Sequence, residues 1–468
     1  MKATRLEHDF IGELEIPNDC YYGIQTHRAL NNFHITGITV NEEPFMVKGL
    51  AYVKKAAAMA NRDCGVFSKE IAEAIIYASD EVISGKYDDQ FATELIQGGA
   101  GTSMNMNANE VIANIALEKM GYEKGDYAHC HPNNHVNCSQ STNDAFPSAF
   151  RIALLLRLAD YQVQLEELSK SFATKGDEFK DVLKMGRTQL QDAVPMSLGS
   201  EFRGWATTIH EELERVESSK RLISQINMGA TAIGTRVNAP EKYPEMVTEY
   251  LAELTGLKLS LAQDLIEATS DTGAYVQLSG VLKRTAIKIS KICNDLRLLS
   301  SGPRTGFNEI NLPQMQPGSS IMPGKVNPVI PEVVNQTAFY VIGADVTVTM
   351  AAEAGQLQLN VMEPVIAFSL FSSIIWMSRA CETLRVKCVN GITANADYAK
   401  SMVMNSVGIV TILNPIIGYE ASSSIAKEAL KTGKSIHEIA VLERKVVTQQ
   451  KWDELYSIEN MINPKFIL

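Results

Sequence analysis

The sequence predicts a mainly α protein of three domains, with a central bundle of long helices shared between subunits. Three observations predict it. Five segments keep apolar residues three and four positions apart over unusual lengths. One possible hairpin, within Glu7 to Ile16, is the strand signal that stands out. After about residue 395 the chain turns polar, and Gly408, Asn414 with Pro415, Gly418 and Gly433 punctuate it.

The elements follow in chain order. Residues 1–140 form the first domain, with short helices such as Ser68 to Gly85. The segment Gln97 to Asn107 reads as a glycine-rich entry to a helix that presents Thr102; it lacks a Walker lysine, so a nucleotide loop is disfavoured. Residues 141–395 carry the long helices. The first stripe runs through Leu165, Leu168, Phe172, Phe179 and Val182, and the second from Leu198 to Ile226. The third passes through Tyr275, Leu282, Ile289, Leu296 and Leu299, and two more lie near 330–353 and 362–389. A helix of about 30 residues spans roughly 45 Å, longer than one compact domain needs, so the stripes are expected to pack against other chains as well. Residues 396–468 form a small C-terminal helical domain. The alternative for the bundle is a monomer with buried helices.

Bulk properties narrow the function. The chain has 468 residues, is 45% hydrophobic and carries a net charge of -11. It can bury a large core, and the acidic balance disfavours nucleic acid or an anionic membrane as partner. Seven cysteines without a CxxC pair fit reduced thiols in a cytoplasmic protein. The N-terminus lacks an apolar core of signal-peptide length, and no run of about 18 apolar residues suggests a membrane span.

Three polar segments carry candidate chemistry. In Gln316 to Pro328, Gly318 and Gly324 permit close backbone approach, while Asn327, Pro328 and Pro331 mark a helix start nearby. Ser319, Ser320, Lys325 and Asn327 would converge on a carboxylate or phosphate, unless this is simply a polar surface loop. In Gln140 to Asp144 the chain also approaches a helix, with Asn143 or Asp144 as cap and Pro147 in its first turn. Gly186 to Asp192 offers Thr188, Gln189 and Gln191 before Pro195 opens another helix. His129, His131, His135 and Cys138 match no standard zinc spacing, which favours a structural or accessory anion-binding loop over a metal site. No Gly-x-Ser-x-Gly elbow is present, so a serine acting as base would need its alkoxide stabilised by Lys325, backbone N–H groups and a helix terminus.

These segments together resemble the aspartase/fumarase superfamily, whose signature Gly-Ser-Ser-x-Met-Pro-x-Lys-x-Asn-Pro stands complete from Gly318 to Pro328. The resemblance covers nearly the whole chain. Within the superfamily it is closest to the aspartate ammonia-lyase branch, through Gln140 to Asn143, Gly355 to Pro364, and Gln189, where fumarases usually carry histidine. The resemblance implies the three-domain aspartase/fumarase fold, with a five-helix bundle in a homotetramer whose sites are assembled from three subunits. It implies reversible deamination of L-aspartate to fumarate and ammonia, by anti elimination through an aci-carboxylate, with no redox cofactor; divalent cations activate some relatives, but no metal-ligand set is legible in this sequence.

Ser319 would be the base. Thr102, Ser141, Thr142 and Ser320 would hold the β-carboxylate, Thr188, Lys325 and Asn327 the α-carboxylate, and Asn143 with Gln189 the amine. The Ser319 loop would be a mobile lid. The chemistry agrees with Gln189: ammonium departs as neutral ammonia without a general acid, whereas malate must expel hydroxide. The alternatives are a class II fumarase and a non-catalytic, crystallin-like scaffold. One departure from the family pattern is Arg236, where glycine is usual.

Overall fold

The computed structural model describes residues 3–463, so the ends of the predicted first and third domains lie outside the described residues. The expected hairpin is present, with β1 (Thr4–Asp9) antiparallel to β2 (Gly12–Pro17). Short to middling helices follow: α1 (Ile24–Asn32), α2 (Pro44–Asp63), α3 (Lys69–Ile83) and α4 (Thr102–Met120). Ser68 starts α3 by accepting from the Ile71 N–H.

The first long helix, α5 (Thr142–Glu178), has 37 residues and begins far upstream of the stripe read from Leu165. Its opening turns are buried on every side, through Ala145, Phe146, Ala149, Phe150, Leu154 and Leu158, and a helix apolar all round leaves no stripe to read. Its cap also differs from expectation. The helix starts at Thr142, so Ser141 is the cap, and Pro147 sits a full turn inside. The Asn143 carbonyl, which Pro147 cannot serve, accepts from Asn227 Nδ2 at 3.0 Å instead.

After α5 the expected helix at Pro195 is a hairpin instead. Strand β3 (Leu183–Thr188) pairs with β4 (Gln191–Ser197), and Pro195 lies inside β4. Gln189 and Leu190, at φ 55 and 62, form the two-residue turn whose twist suits a hairpin. The helices then continue with α6 (Leu198–Ile223), α7 (Tyr243–Thr255), α8 (Leu265–Ser270), α9 (Gly273–Leu299), α10 (Val329–Glu353) and α11 (Glu363–Lys387). With α5, the helices α6, α9, α10 and α11 are the five long ones. By length and composition α11 could cross a membrane, but Ile366, Leu370, Phe371, Ile374 and Met377 are buried within the protein, as expected of a core helix. The chain closes with α12 (Ala396–Asn405), α13 (Asn414–Thr432), α14 (Gln449–Leu455) and α15 (Ile458–Ile462).

Two compact units result. Among the described residues the first comprises 3–162, 214–284 and 339–377, and the second 163–213, 285–338 and 378–463. In the first, Phe150 packs on Tyr275 and Phe371 at ring separations of 4.8 and 5.3 Å, joining α5, α9 and α11. In the second, Phe172, Phe179, Phe202 and Trp205 interlock α5 with α6. A further core in the second unit, around Val403, Leu413, Ile425, Ile439 and Trp452, takes in Leu183 and Met185 of β3.

Candidate active site

The first unit gathers four of the predicted residues. Gly101 adopts φ 90, and a Cβ there would meet Phe146 Cδ2 at 2.3 Å, so the position admits glycine alone. That turn delivers Thr102 as the first residue of α4, with its hydroxyl donating to the Gly99 carbonyl at 2.7 Å. At the start of α5, Ser141 Oγ accepts from the Asn143 N–H at 3.2 Å, and Asp144 Oδ1 accepts from the Ser141 N–H at 2.8 Å. Asp144 Oδ2 accepts from the N–H groups of Gly229 and Thr231. The buried Asp144 thereby ties the 229–238 loop to the helix start, and Asn143 Nδ2 adds a bond to the Ala232 carbonyl at 2.7 Å.

Thr102, Ser141 and Thr142 line one cavity of about 410 Å³, together with Asn105, Asn137, Gln140, Thr231 and Asn238. Its lining consists mainly of amides and hydroxyls and holds no ionised side chain, among the described residues. Neutral donors of this kind can meet an anion without a fixed countercharge. Asn143 lies behind the rim rather than on it.

Beneath the cavity sits a residue that the sequence reading missed. Lys54 of α2 is fully buried and donates to Asn105 Oδ1 at 2.6 Å, Gln140 Oε1 at 2.9 Å and Asn137 Oδ1 at 3.1 Å. Burial pulls its ammonium below the lysine range and pushes the Asp144 carboxyl up, each opposed by the other's charge. The signal was in the sequence: Lys54 shares the apolar face of Leu50, Ala57 and Ala58, where a lysine is out of place.

The second unit holds the other predicted residues. Thr188 and Gln189 are exposed at the tip of the β3–β4 hairpin. The hairpin is anchored by Glu309, buried, which pairs with Lys184 at 3.0 Å and Arg187 at 2.6 Å; Lys184 also reaches Glu201 at 2.6 Å. In the loop before α10, Ser319 Oγ accepts from the N–H groups of Ile321 at 3.2 Å and Met322 at 3.0 Å. The Gly318 N–H donates to the Lys325 carbonyl, and Asn327 Nδ2 donates to the Gly318 carbonyl, both at 2.7 Å. A Cβ at Gly318 would lie 2.7 Å from the Lys325 carbonyl oxygen, so this staple requires glycine. Asn327 therefore spends one of its two amide hydrogens on the loop. Lys325 and Asn327 line a second cavity of about 530 Å³ with Arg297, Asn308, Asn311 and Glu332, while Ser320 is exposed.

The histidine loop is built for capping. His131 Nδ1 accepts from the N–H groups of Asn133 and Asn134, and His135 Nδ1 from the His131 N–H. Burial pulls both rings below the ordinary histidine value, which suits neutral acceptors. Among the described residues no group of three or more His, Cys, Asp or Glu could hold a metal ion. Arg236 has φ 61, a left-handed conformation that glycine adopts without strain, and its guanidinium pairs with Glu245 at 3.4 Å.

A mainly helical frame carries a cavity lined by amides and hydroxyls in the first unit and a Gly-Ser-Ser loop in the second. The chain belongs to the lyase family: the family model described as "Lyase" matches residues 12–343, and that of the fumarase C C-terminus matches 409–463. It is 57% identical over 460 residues to the aspartate ammonia-lyase of Helicobacter pylori strain J99, covering 98% of each chain. It is 54% identical over 463 residues to the aspartate ammonia-lyase of Escherichia coli K12, covering 99% of this chain and 97% of the relative. The crystal structure of a class II fumarase from Schistosoma mansoni superposes with a TM-score of 0.94 at 34% identity, over 99% of this chain and all of that one.

Proposed function

We propose that the chain catalyses the reversible deamination of L-aspartate to fumarate and ammonia, as a cytoplasmic homotetramer. The observation that carries the choice of substrate is full-length identity of 57% and 54% to two aspartate ammonia-lyases, against 34% to a fumarase with nearly the same backbone. The organisation that goes with it is the division read from the sequence, at 1–140, 141–395 and 396–468.

In this reading Ser319 takes the proton from Cβ, and the electron pair spreads onto the β-carboxylate as an aci-carboxylate. The Cα–N bond then breaks, its electrons leave with ammonia, and the Cα=Cβ bond forms. No electrons are gained or lost overall, so the reaction asks for no redox cofactor. Support for Ser319 comes from the two backbone N–H groups on its Oγ, which favour the deprotonated oxygen. Thr102, Ser141, Thr142 and Ser320 are assigned to the β-carboxylate, Thr188, Lys325 and Asn327 to the α-carboxylate, and Asn143 and Gln189 to the amine. One well-placed donor is worth about 3 kcal/mol in such a transition state, so the four on the β-carboxylate would account for much of the rate. The test is ultraviolet detection of fumarate from L-aspartate and from L-malate. Formation from aspartate alone is expected; turnover of malate alone would make the chain a fumarase, and silence on both a scaffold.

A further inference from the structure

Lys54 makes three hydrogen bonds, all to amide oxygens of residues that line the cavity. An ammonium has three donors and no acceptor, so each amide must turn its oxygen inward to it. For Asn105, itself buried, this sends Nδ2 the other way, where it donates to Thr142 Oγ1 at 3.2 Å and to Asn137 Oδ1 at 3.1 Å. Asn137 cannot reverse in compensation, because its Oδ1 also accepts from Asn109 Nδ2 at 3.1 Å. A hydroxyl whose lone pair is filled by a donor keeps its own proton for another acceptor. The Thr142 proton is thereby left for an anion in the cavity.

We infer that Lys54 and Asn105 are positioning residues that set the polarity of Thr142, making its hydroxyl a standing hydrogen-bond donor to a carboxylate of the substrate. The inference rests on the reading of this cavity as the dicarboxylate site. It assigns to a buried lysine a role at one remove from the reacting atoms: the charge does not touch the substrate, but it decides which way a neutral relay points.

Asn105→Asp tests it. The variant keeps the side chain's size and gives Lys54 a countercharge, yet puts an acceptor where Thr142 now meets a donor, so the Thr142 proton turns away from the cavity. With the melting temperature retained, kcat/KM for L-aspartate should fall about a hundredfold, the cost of one lost transition-state donor. Thr142→Val alone should cost a similar factor, and added to Asn105→Asp it should cost less than about threefold more, because the donor is already lost. Full additivity of the two substitutions, or Asn105→Asp within about threefold of wild type, would overturn the inference. Should Asn105→Asp not fold, Lys54→Met combined with Thr142→Val carries the same expectation and the same refutation. A wild-type enzyme silent on L-aspartate would defeat the functional reading instead. The same cycle run on the dissociation constant of succinate then decides the inference, coupling supporting it and additivity overturning it.

Discussion

The acidic side chains of this protein are kept out of the lining of the candidate cavity in the first unit and used behind it. Asp144 holds backbone N–H groups from two segments and is not part of the cavity lining. Glu110, fully buried, accepts from the N–H groups of Gly23, Gln25 and Thr26 and so satisfies the start of α1. Glu363, the first residue of α11, is different: burial pushes its carboxyl up to about 8, with Arg151 the opposing charge. Between the ordinary carboxylate range and pH 8 the folded protein holds this proton while the unfolded chain has lost it. Glu363 therefore contributes stability that is full at low pH and is lost as pH rises through 8. Glutamine at 363 stays neutral throughout. The variant Glu363→Gln should gain on wild type by on the order of 2–4 kcal/mol between pH 5 and pH 9, read as a widening difference in denaturation midpoint. A difference that does not change with pH would contradict the raised pKa.

Among the elements, the β3–β4 hairpin shows how buried charge positions an exposed group. Thr188 is exposed at the hairpin tip, but Lys184 and Arg187 behind it are drawn onto the buried Glu309. Ser406 also donates to Asp192 at 2.7 Å, fastening β4 to the C-terminal segment. Replacing Glu309 by Gln leaves two cations facing a neutral group, one of them almost wholly buried. This should cost about 3–5 kcal/mol, seen as a lower urea midpoint with the slope unchanged. The hairpin was not legible because its turn uses Gln189 and Leu190 at positive φ, where glycine or asparagine would have announced it. The Ser319 loop was legible, since Pro317, Gly318, Pro323 and Gly324 state locally that no regular element can form. The long helices were legible where one face is wet, as in α6 and α9, and illegible in the dry opening turns of α5. Lys54 was legible as a lysine out of place on an apolar face, whereas the three amides it meets are a tertiary fact.

On the scale of the whole molecule, α10 leaves Phe339, Val346 and Met350 exposed at 62%, 57% and 67%, seven and eleven residues apart on one face. Within the proposed homotetramer that face is covered by a second copy of the chain. Phe339→Glu with Met350→Glu should then yield a smaller species by sedimentation, with fumarate formation lost alongside the assembly; an unchanged mass would argue that another surface joins the subunits. In the proposed reaction the Ser319 alkoxide, stabilised by its loop, removes the Cβ proton while neutral donors hold the charge that results. Its most direct test is the turnover of L-aspartate by Ser319→Ala, with melting temperature and assembly matched to wild type. In that variant kcat should fall by about three orders of magnitude or more. A kcat within about tenfold of wild type, in an intact oligomer, would contradict it.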